Sequence, residues 1–385
     1  MTGWILCSFT LLAIAWLLWK RPFLFRSLRM AYRSKRLGPA INELHQFPNK
    51  QIKATHPRPW SHHPALGTLS FSPQALEINE QLGSTAFLVI QNKQLLFEKY
   101  WSPFASDTPT NSFSVAKSVV SLLIGIYIKD GVLDLDHHVA DFLPDFRTGG
   151  KEQITIRHLL TMSSGLSWNE SEGNLFSDNA QAYYGTDTAA IIHRLKAQRA
   201  PGEVFRYASG NTQILALLLY EVTGQSVADL VQTRLWPTIG AEHDAFWNLD
   251  CPGGMEKAFC CLYATPRDFA RIGQLYVNGG SWDGVQLLDQ AYIDTSLTAL
   301  PLHDIWINKT NISYGMHWWM VSHEGREYFY ARGIRGQYVI CDKKRDLIIV
   351  RMGHRRNPVD RHHGHPPDLF DHINAGVEIF TSSPQ

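Results

Sequence analysis

The sequence predicts an α+β fold: an antiparallel sheet flanked by helices, built from both chain ends and interrupted by an inserted, mostly helical lobe. Three observations point there. Residues 86–100 (AFLVIQNKQLLFEKY) read as two apolar strands turning at Asn92-Lys93, the pattern of a hairpin. Near the other end, 338–341 and 347–351 flank the charged turn Asp342-Lys343-Lys344-Arg345-Asp346 as a second hairpin, and 314–320 reads as one more strand. The stretch between them is dominated by helical patterns. A sheet assembled from distant parts of the chain leaves the intervening helices as a second lobe, and a cleft between lobes is a common place for a ligand.

The first strong helix follows Ser114-Val115-Ala116-Lys117. Residues 119–128 (VVSLLIGIYI) are apolar on nearly every side and are followed by Asp130-Gly131. An all-round apolar helix is a core helix, and glycine just past its end is a stop. Ser114 then lies at the helix N-terminus, where unpaired backbone N–H groups favour negative charge. Serine and lysine three apart share a helix face. A hydroxyl becomes a strong nucleophile when a neighbouring base takes its proton, and lysine does so only in its neutral form, which burial favours. The pattern S-x-x-K recurs by chance about once in a chain of this length, so its weight comes from the buried helix and from two further segments.

The second segment is 201–212 (PGEVFRYASGNT). Pro-Gly marks a turn, a short extended piece ends at Tyr207, and a helix runs from about Ser209 to Thr223 with Gly224 as its stop. A phenol held at such a junction can relay a proton between nucleophile, lysine and leaving group. The third is Arg332-Gly333-Ile334-Arg335-Gly336-Gln337, leading into 338–341. Glycines at a strand end permit close backbone approach. The N–H of Ile334 could pair with that of Ser114 as an oxyanion hole; an ordinary tight turn would also account for both glycines. Further along, Thr265-Pro266 before RDFARIGQLYV and Gly279 gives a cap, a first-turn proline and a glycine stop.

In this order and spacing the chain resembles the serine β-lactamase and penicillin-binding-protein superfamily, and within it the class C-like esterase and 6-aminohexanoate-dimer hydrolase branch. The strings that carry the resemblance are SFSVAKSVVSLLIG, ITIRHLLTMSSGLSW, PGEVFRYASGNTQILA, TRLWPTIGAEHDAFW, ATPRDFARIGQLYVNGG, YGMHWWM and GIRGQYVI. The resemblance implies a β-lactamase-like fold, Ser114 as nucleophile, Lys117 as general base, Tyr207 as acid/base partner, and the N–H groups of Ser114 and Ile334 as oxyanion hole. It implies an acyl-enzyme intermediate and no cofactor or metal.

Two departures from the family pattern narrow the substrate. The usual Tyr-x-Asn is Tyr207-Ala208-Ser209, and the usual Lys-Thr-Gly is Ala331-Arg332-Gly333. The cation that meets a lactam or peptide carboxylate is thus missing from its place, and a guanidinium from Arg332 or Arg335 is longer and differently aimed. Esters and small linear amides remain. A shifted register, Ile334-Arg335-Gly336, would make Gln337 the oxyanion donor. Ser209, Trp168, Tyr184 and Gly333 are the expected substrate contacts, the two aromatics because they stand on polar, loop-like stretches.

Two rival readings belong to other classes. Arg361-His362-His363-Gly364-His365, with His354 and His372 nearby, could bind a divalent metal and make this a metal-dependent protein. Alternatively, the fold could serve as a non-catalytic binding module. The near-neutral balance of 36 Lys+Arg against 35 Asp+Glu, with the basic run confined to the N-terminal arm, argues against a nucleic-acid role.

The N-terminus adds a separate expectation. Residues 4–19 are apolar and uncharged, about 24 Å long as a helix against a bilayer core of about 30 Å. With tryptophans near both ends and no cleavage-site pattern, this reads as an uncleaved single-pass anchor. Arg26, Arg29, Arg33 and Arg36 then share one helical face opposite Leu24, Leu28 and Ala31, a helix suited to an anionic membrane surface. The positive charge favours the cytoplasmic side, while the resemblance allows the periplasmic one. The division is 1–38 for anchor and basic segment, 39–82 for a linker or extension, 83–111 with 305–385 for the α/β lobe and 112–304 for the helical lobe. Residues 39–67, rich in Pro and His, are either a linker or a segment wrapping the lobes. The partners expected are a small ester or amide substrate and membrane lipid, with the oligomeric state open. Of five cysteines, Cys7 lies in the anchor; Cys251, Cys260, Cys261 and Cys341 show no metal spacing and read as free thiols, or as a bridge from Cys251 to Cys260 or Cys261.

Overall fold

The computed structural model describes Trp16 and residues 20–35, 38–171 and 173–384. Its main sheet has seven strands: β1 (Ser61–His62), β2 (Ser84–Gln91), β3 (Gln94–Tyr100), β4 (Trp319–His323), β5 (Arg326–Gly333), β6 (Gln337–Asp342) and β7 (Leu347–Gly353). Their spatial order is β4-β5-β6-β7-β2-β3-β1, antiparallel except where β1 runs parallel to β3. The two ends of the chain meet where β7 pairs with β2. Both expected hairpins are present, the first turning at Asn92 and Lys93 with φ of 48° and 59°, the doubly positive backbone that matches strand twist.

The sheet is covered on both faces, which explains its continuous apolar runs. Ala86, Leu88, Ile90, Val339 and Val350 enter one hydrophobic cluster, and Phe87, Val89, Tyr338, Ile340 and Ile349 enter another. Among the described residues the longer helices are α1 (Pro22–Ser34), α2 (Pro73–Gln81), α3 (Val115–Lys129), α4 (Ser209–Thr223), α5 (Pro266–Val277) and α6 (Asp368–Thr381). The first cluster joins the sheet to α3, α4 and α5; the second includes Leu369, Ile373 and Ile379 of α6. Val119, Leu122, Leu123 and Ile124 of α3 have no exposed surface, and burying each such side chain contributes about 1.5–3 kcal/mol. α4 ends at Gly224 in the left-handed region with φ 69°, as its sequence predicts.

Several expectations change. The strand expected over 314–320 forms at Trp319–His323; Tyr314 only bridges Trp319, and His317 turns the chain at φ 62°. Helices α2 and α6 were not anticipated. Asn49–Ile52 pairs with Ala245–Asn248 in a four-stranded sheet that also holds Leu262–Ala264 and Thr110–Asn111. Since β1 pairs with β3, the 39–67 stretch wraps both sheets instead of linking them loosely. Cys260 and Cys261 are joined to each other. Cys251 therefore stays free, because both sulfurs it could have met are already bonded.

At the N-terminus, the apolar stretch 4–19 lies outside the described residues apart from Trp16, as do Cys7 and Arg36. Among the described residues no single helix is long and apolar enough to cross a membrane. The inward face of α1 is Phe23, Leu24, Ser27 and Met30, while Leu28 is exposed. Leu24 and Leu28 thus do not share the apolar face the sequence suggested, because Leu24 is used in packing against the protein.

Candidate active site

Thr110–Asn111 leads straight into the site. The Ser112 N–H donates to the Leu262 carbonyl at 2.9 Å and the Phe113 N–H to Asn111 Oδ1 at 2.8 Å. These bonds hold buried Phe113 at φ 46°, a left-handed conformation that costs a bulky residue about 1–3 kcal/mol. The sharp turn delivers Ser114 as the N-cap of α3, with its hydroxyl making no capping bond and its side chain partly exposed.

One turn on, Lys117 is 1% exposed. Its Nζ lies 2.9 Å from Ser114 Oγ and donates to the Phe259 carbonyl at 2.8 Å. The same nitrogen stands 5.1 Å from the centroid of the Tyr207 ring. Tyr207 is fixed by its neighbours: the Arg206 N–H donates to the Met162 carbonyl at 2.8 Å and the Ala208 N–H to Met162 Sδ at 3.4 Å. Its ring stacks on Trp319 at 5.9 Å and meets Tyr314 edge-on at 5.8 Å. The Ser114–Lys117 pair and Tyr207, distant from it in sequence, are therefore brought together.

The end of β5 closes the site from the sheet side. A Cβ at Gly333 would lie 2.2 Å from the Ser112 carbonyl oxygen, so only glycine lets β5 press against the turn before the serine. Ile334 follows directly. Among the described residues, no acceptor takes the backbone N–H of Ser114 or of Ile334. Gln337 is buried and pairs with Gly333 in the β5–β6 ladder.

A carboxylate absent from the sequence reading sits behind α4. Glu170 accepts from the Ser209 N–H, the Ser209 hydroxyl and Trp168 Nε1, each at 2.7 Å. Its carboxyl group lies inside although the residue keeps some exposed surface. Burial raises its pKa, opposed by the Lys117 charge and the Ser209 bonds. The signal that could have found it is the uncapped start of α4, whose first N–H groups need an acceptor.

These contacts correct the expected substrate residues. Trp168 has no exposed surface and Tyr184, at the end of a helix over Asp178–Tyr184, only 5%; both rings pack in the core. Ser209 is buried and its hydroxyl is committed to Glu170. Gly333 acts through its lack of a side chain. Ala331 is 1% exposed, and Arg332 lies over the Trp319 ring at 3.7 Å with Nη1 donating to the Gly364 carbonyl at 3.0 Å. Arg335 donates to the Pro39 carbonyl. Both guanidinium groups are thus engaged by the protein.

The histidine stretch does not form a metal centre. His365 is buried with Nδ1 2.7 Å from the Tyr330 hydroxyl, while His363 pairs with Asp360. Among the described residues no group of three His, Cys, Asp or Glu could hold a metal ion.

His317 supports the floor of the site. Its Nδ1 is 2.9 Å from the Leu160 carbonyl and its Nε2 2.9 Å from Thr212 Oγ1. The carbonyl can only accept, so Nδ1 carries the proton and Nε2 accepts from Thr212. Burial, then the nearby Lys117, pulls its pKa down to about 3. Between that value and the unfolded value of about 6.5 the unfolded chain binds a proton that the folded chain refuses, so His317 costs stability as pH falls through this window. His365 and His372 act in the same direction, and the raised carboxyls of Glu43 and Glu170 oppose them. In urea titrations at pH 7 and pH 5, His317→Gln is expected to lose about 2 kcal/mol less than wild type on acidification. Equal losses would show that this histidine does not stay neutral.

The sequence profile of the beta-lactamase family matches residues 74–372. The chain belongs to the beta-lactamase family. A 6-aminohexanoate-dimer hydrolase of Paenarthrobacter ureafaciens is 28% identical over 302 residues, covering 74% of this chain and 76% of that protein. Among solved structures, a Bacillus anthracis protein provisionally assigned as a 6-aminohexanoate-dimer hydrolase superposes with a TM-score of 0.76 at 23% identity, over 90% of this chain and 94% of the other. A family VIII carboxylesterase gives 0.63 at 17% identity, over 80% and 98%. At these identities the structural likenesses establish the fold, which the beta-lactamase family shares across members with different chemistry.

Proposed function

We infer that this protein is a serine hydrolase that cleaves an ester or a small linear amide through an acyl-enzyme intermediate. The observation that carries the reading is the 2.9 Å approach of buried Lys117 Nζ to Ser114 Oγ. With its amine neutral, Lys117 takes the hydroxyl proton as Oγ attacks the substrate carbonyl carbon. The carbonyl oxygen becomes an oxyanion facing the open N–H groups of Ser114 and Ile334, each such donor contributing about 3 kcal/mol. The α3 N-terminus adds its dipole. The proton held by Lys117 passes by way of the Tyr207 phenol to the leaving oxygen or nitrogen, the carbonyl–leaving-group bond breaks, and the acyl group stays on Ser114. Water attacks next, losing its proton to the same groups, and Oγ leaves with a proton regained.

The preference for esters and linear amides rests on the third motif. Buried Ala331 offers no charge, and Arg332 is held over Trp319. The half-buried rings of Tyr207 and Trp319, stacked on each other, suit an apolar acyl or leaving group. A short-chain nitrophenyl ester, a linear 6-aminohexanoate dimer and a chromogenic cephalosporin separate the possibilities. The ester is expected to turn over, with cephalosporin kcat/KM lower by at least ~100-fold. Rapid cephalosporin hydrolysis would overturn the selectivity, and absence of turnover on all three, with no covalent adduct on Ser114, would overturn the hydrolase reading in favour of a binding module.

A further inference from the structure

The outward face of α1 has no role in the site or the core. Phe25, Leu28 and Tyr32 are 58%, 53% and 86% exposed. Their i, i+3, i+7 spacing aligns them in one stripe, opposite the buried Phe23, Leu24, Ser27 and Met30. Exposed Arg29 and Arg33 lie along one side of the stripe, and exposed Lys35 follows as the cap of the helix. No Asp or Glu precedes Glu43 in the chain, so nothing acidic in this arm offsets the charge.

A second element joins the same patch. Leu175 and Phe176, on the loop before helix Asp178–Tyr184, are 41% and 55% exposed. The Arg21 guanidinium, at the start of α1, stands 5.8 Å from the Phe176 ring centroid. The loop and the start of α1 therefore meet at Arg21, with apolar tips on both. Upstream in the sequence, the uncharged apolar stretch 4–19 leads directly into this helix.

We propose that the outer face of α1 and the Leu175-Phe176 tip form a docking surface for an anionic lipid bilayer. Apolar side chains would enter the boundary between headgroups and acyl chains while the flanking cations meet phosphate and carboxylate headgroups. Charge and composition together select this occupant. A second copy of the chain on a two-fold axis would set the basic face against itself. A nucleic acid would meet the cations but leave the apolar stripe without a partner. The surface is independent of the hydrolase reading, although the same loop carries Glu170, which holds Ser209 behind the site. Docking thus orients the catalytic cleft relative to the lipid.

The test uses the full-length protein reconstituted in phosphatidylcholine vesicles with and without about one-third phosphatidylserine, read by hydrogen–deuterium exchange. On anionic vesicles the amides of α1 and of the loop are expected to exchange at least ~10-fold more slowly than on neutral ones, with the difference collapsing in high salt. The triple variant Phe25→Ser/Leu28→Ser/Tyr32→Ser is expected to lose that difference while keeping its melting temperature and its fluorophosphonate labelling, since all three side chains are exposed. Equal exchange on the two vesicle types would overturn the proposal. So would protection of α1 without lipid that rises with protein concentration, which would identify a second copy as the occupant.

Discussion

Ser114→Ala is expected to lower kcat/KM for a nitrophenyl ester by at least about 10⁴-fold, with an unchanged melting temperature. The hydroxyl is the only atom removed, and it makes no capping bond to α3, so the helix loses nothing by its absence. The N–H groups of Ser114 and Ile334 remain, and a residual rate above that in water is expected from them. Covalent labelling by a fluorophosphonate should vanish in the variant. Equal labelling of variant and wild type would remove Ser114 from the mechanism.

Lys117→Met is expected to cost about 10³-fold in kcat, the range for a lost general base. The more telling substitution is Lys117→Arg. It keeps a cation beside Oγ and a donor toward the Phe259 carbonyl, yet a guanidinium cannot give up its proton in a protein. If Lys117 served only to place positive charge, the arginine variant would retain substantial activity; if it is the base, both variants fall together. An equal fall of both variants with their melting temperatures kept distinguishes the chemistry from a packing defect. Stability should change little in the methionine variant, because amine and stem are replaced by an apolar chain of similar volume in a buried slot.

The parts of this protein that could be read from its sequence are those set by local pattern. The apolar run after Ser114 fixed a core helix, and the three-residue spacing fixed Lys117 on the serine's face before any tertiary information. The two hairpins announced themselves by short apolar runs on either side of a charged or Asn-containing turn. Features decided by distant contacts were not readable. Trp168 and Tyr184 stand in stretches rich in polar residues, and only the tertiary packing of the Trp168 loop and the Tyr184 helix shows them as core. Glu170 is one carboxylate among many until α4 is placed beside it. The strand at Asn49–Ile52 has no periodicity of its own and exists because Ala245–Asn248 offers it an edge. The basic helix was recognised, but which of its leucines faced inward depended on the surface it packs against.

The junction of β2 with β7 has a consequence for how the molecule comes into being. During synthesis from the N-terminus, one edge of β2 has its hydrogen-bonding groups open until residues Leu347–Gly353 arrive, and an open apolar edge invites pairing with other chains. The turn that carries Ser114 is closed by Gly333 on β5, itself a late arrival. Nascent chains therefore hold Ser114 and Lys117 long before β5 arrives to close the turn that carries them.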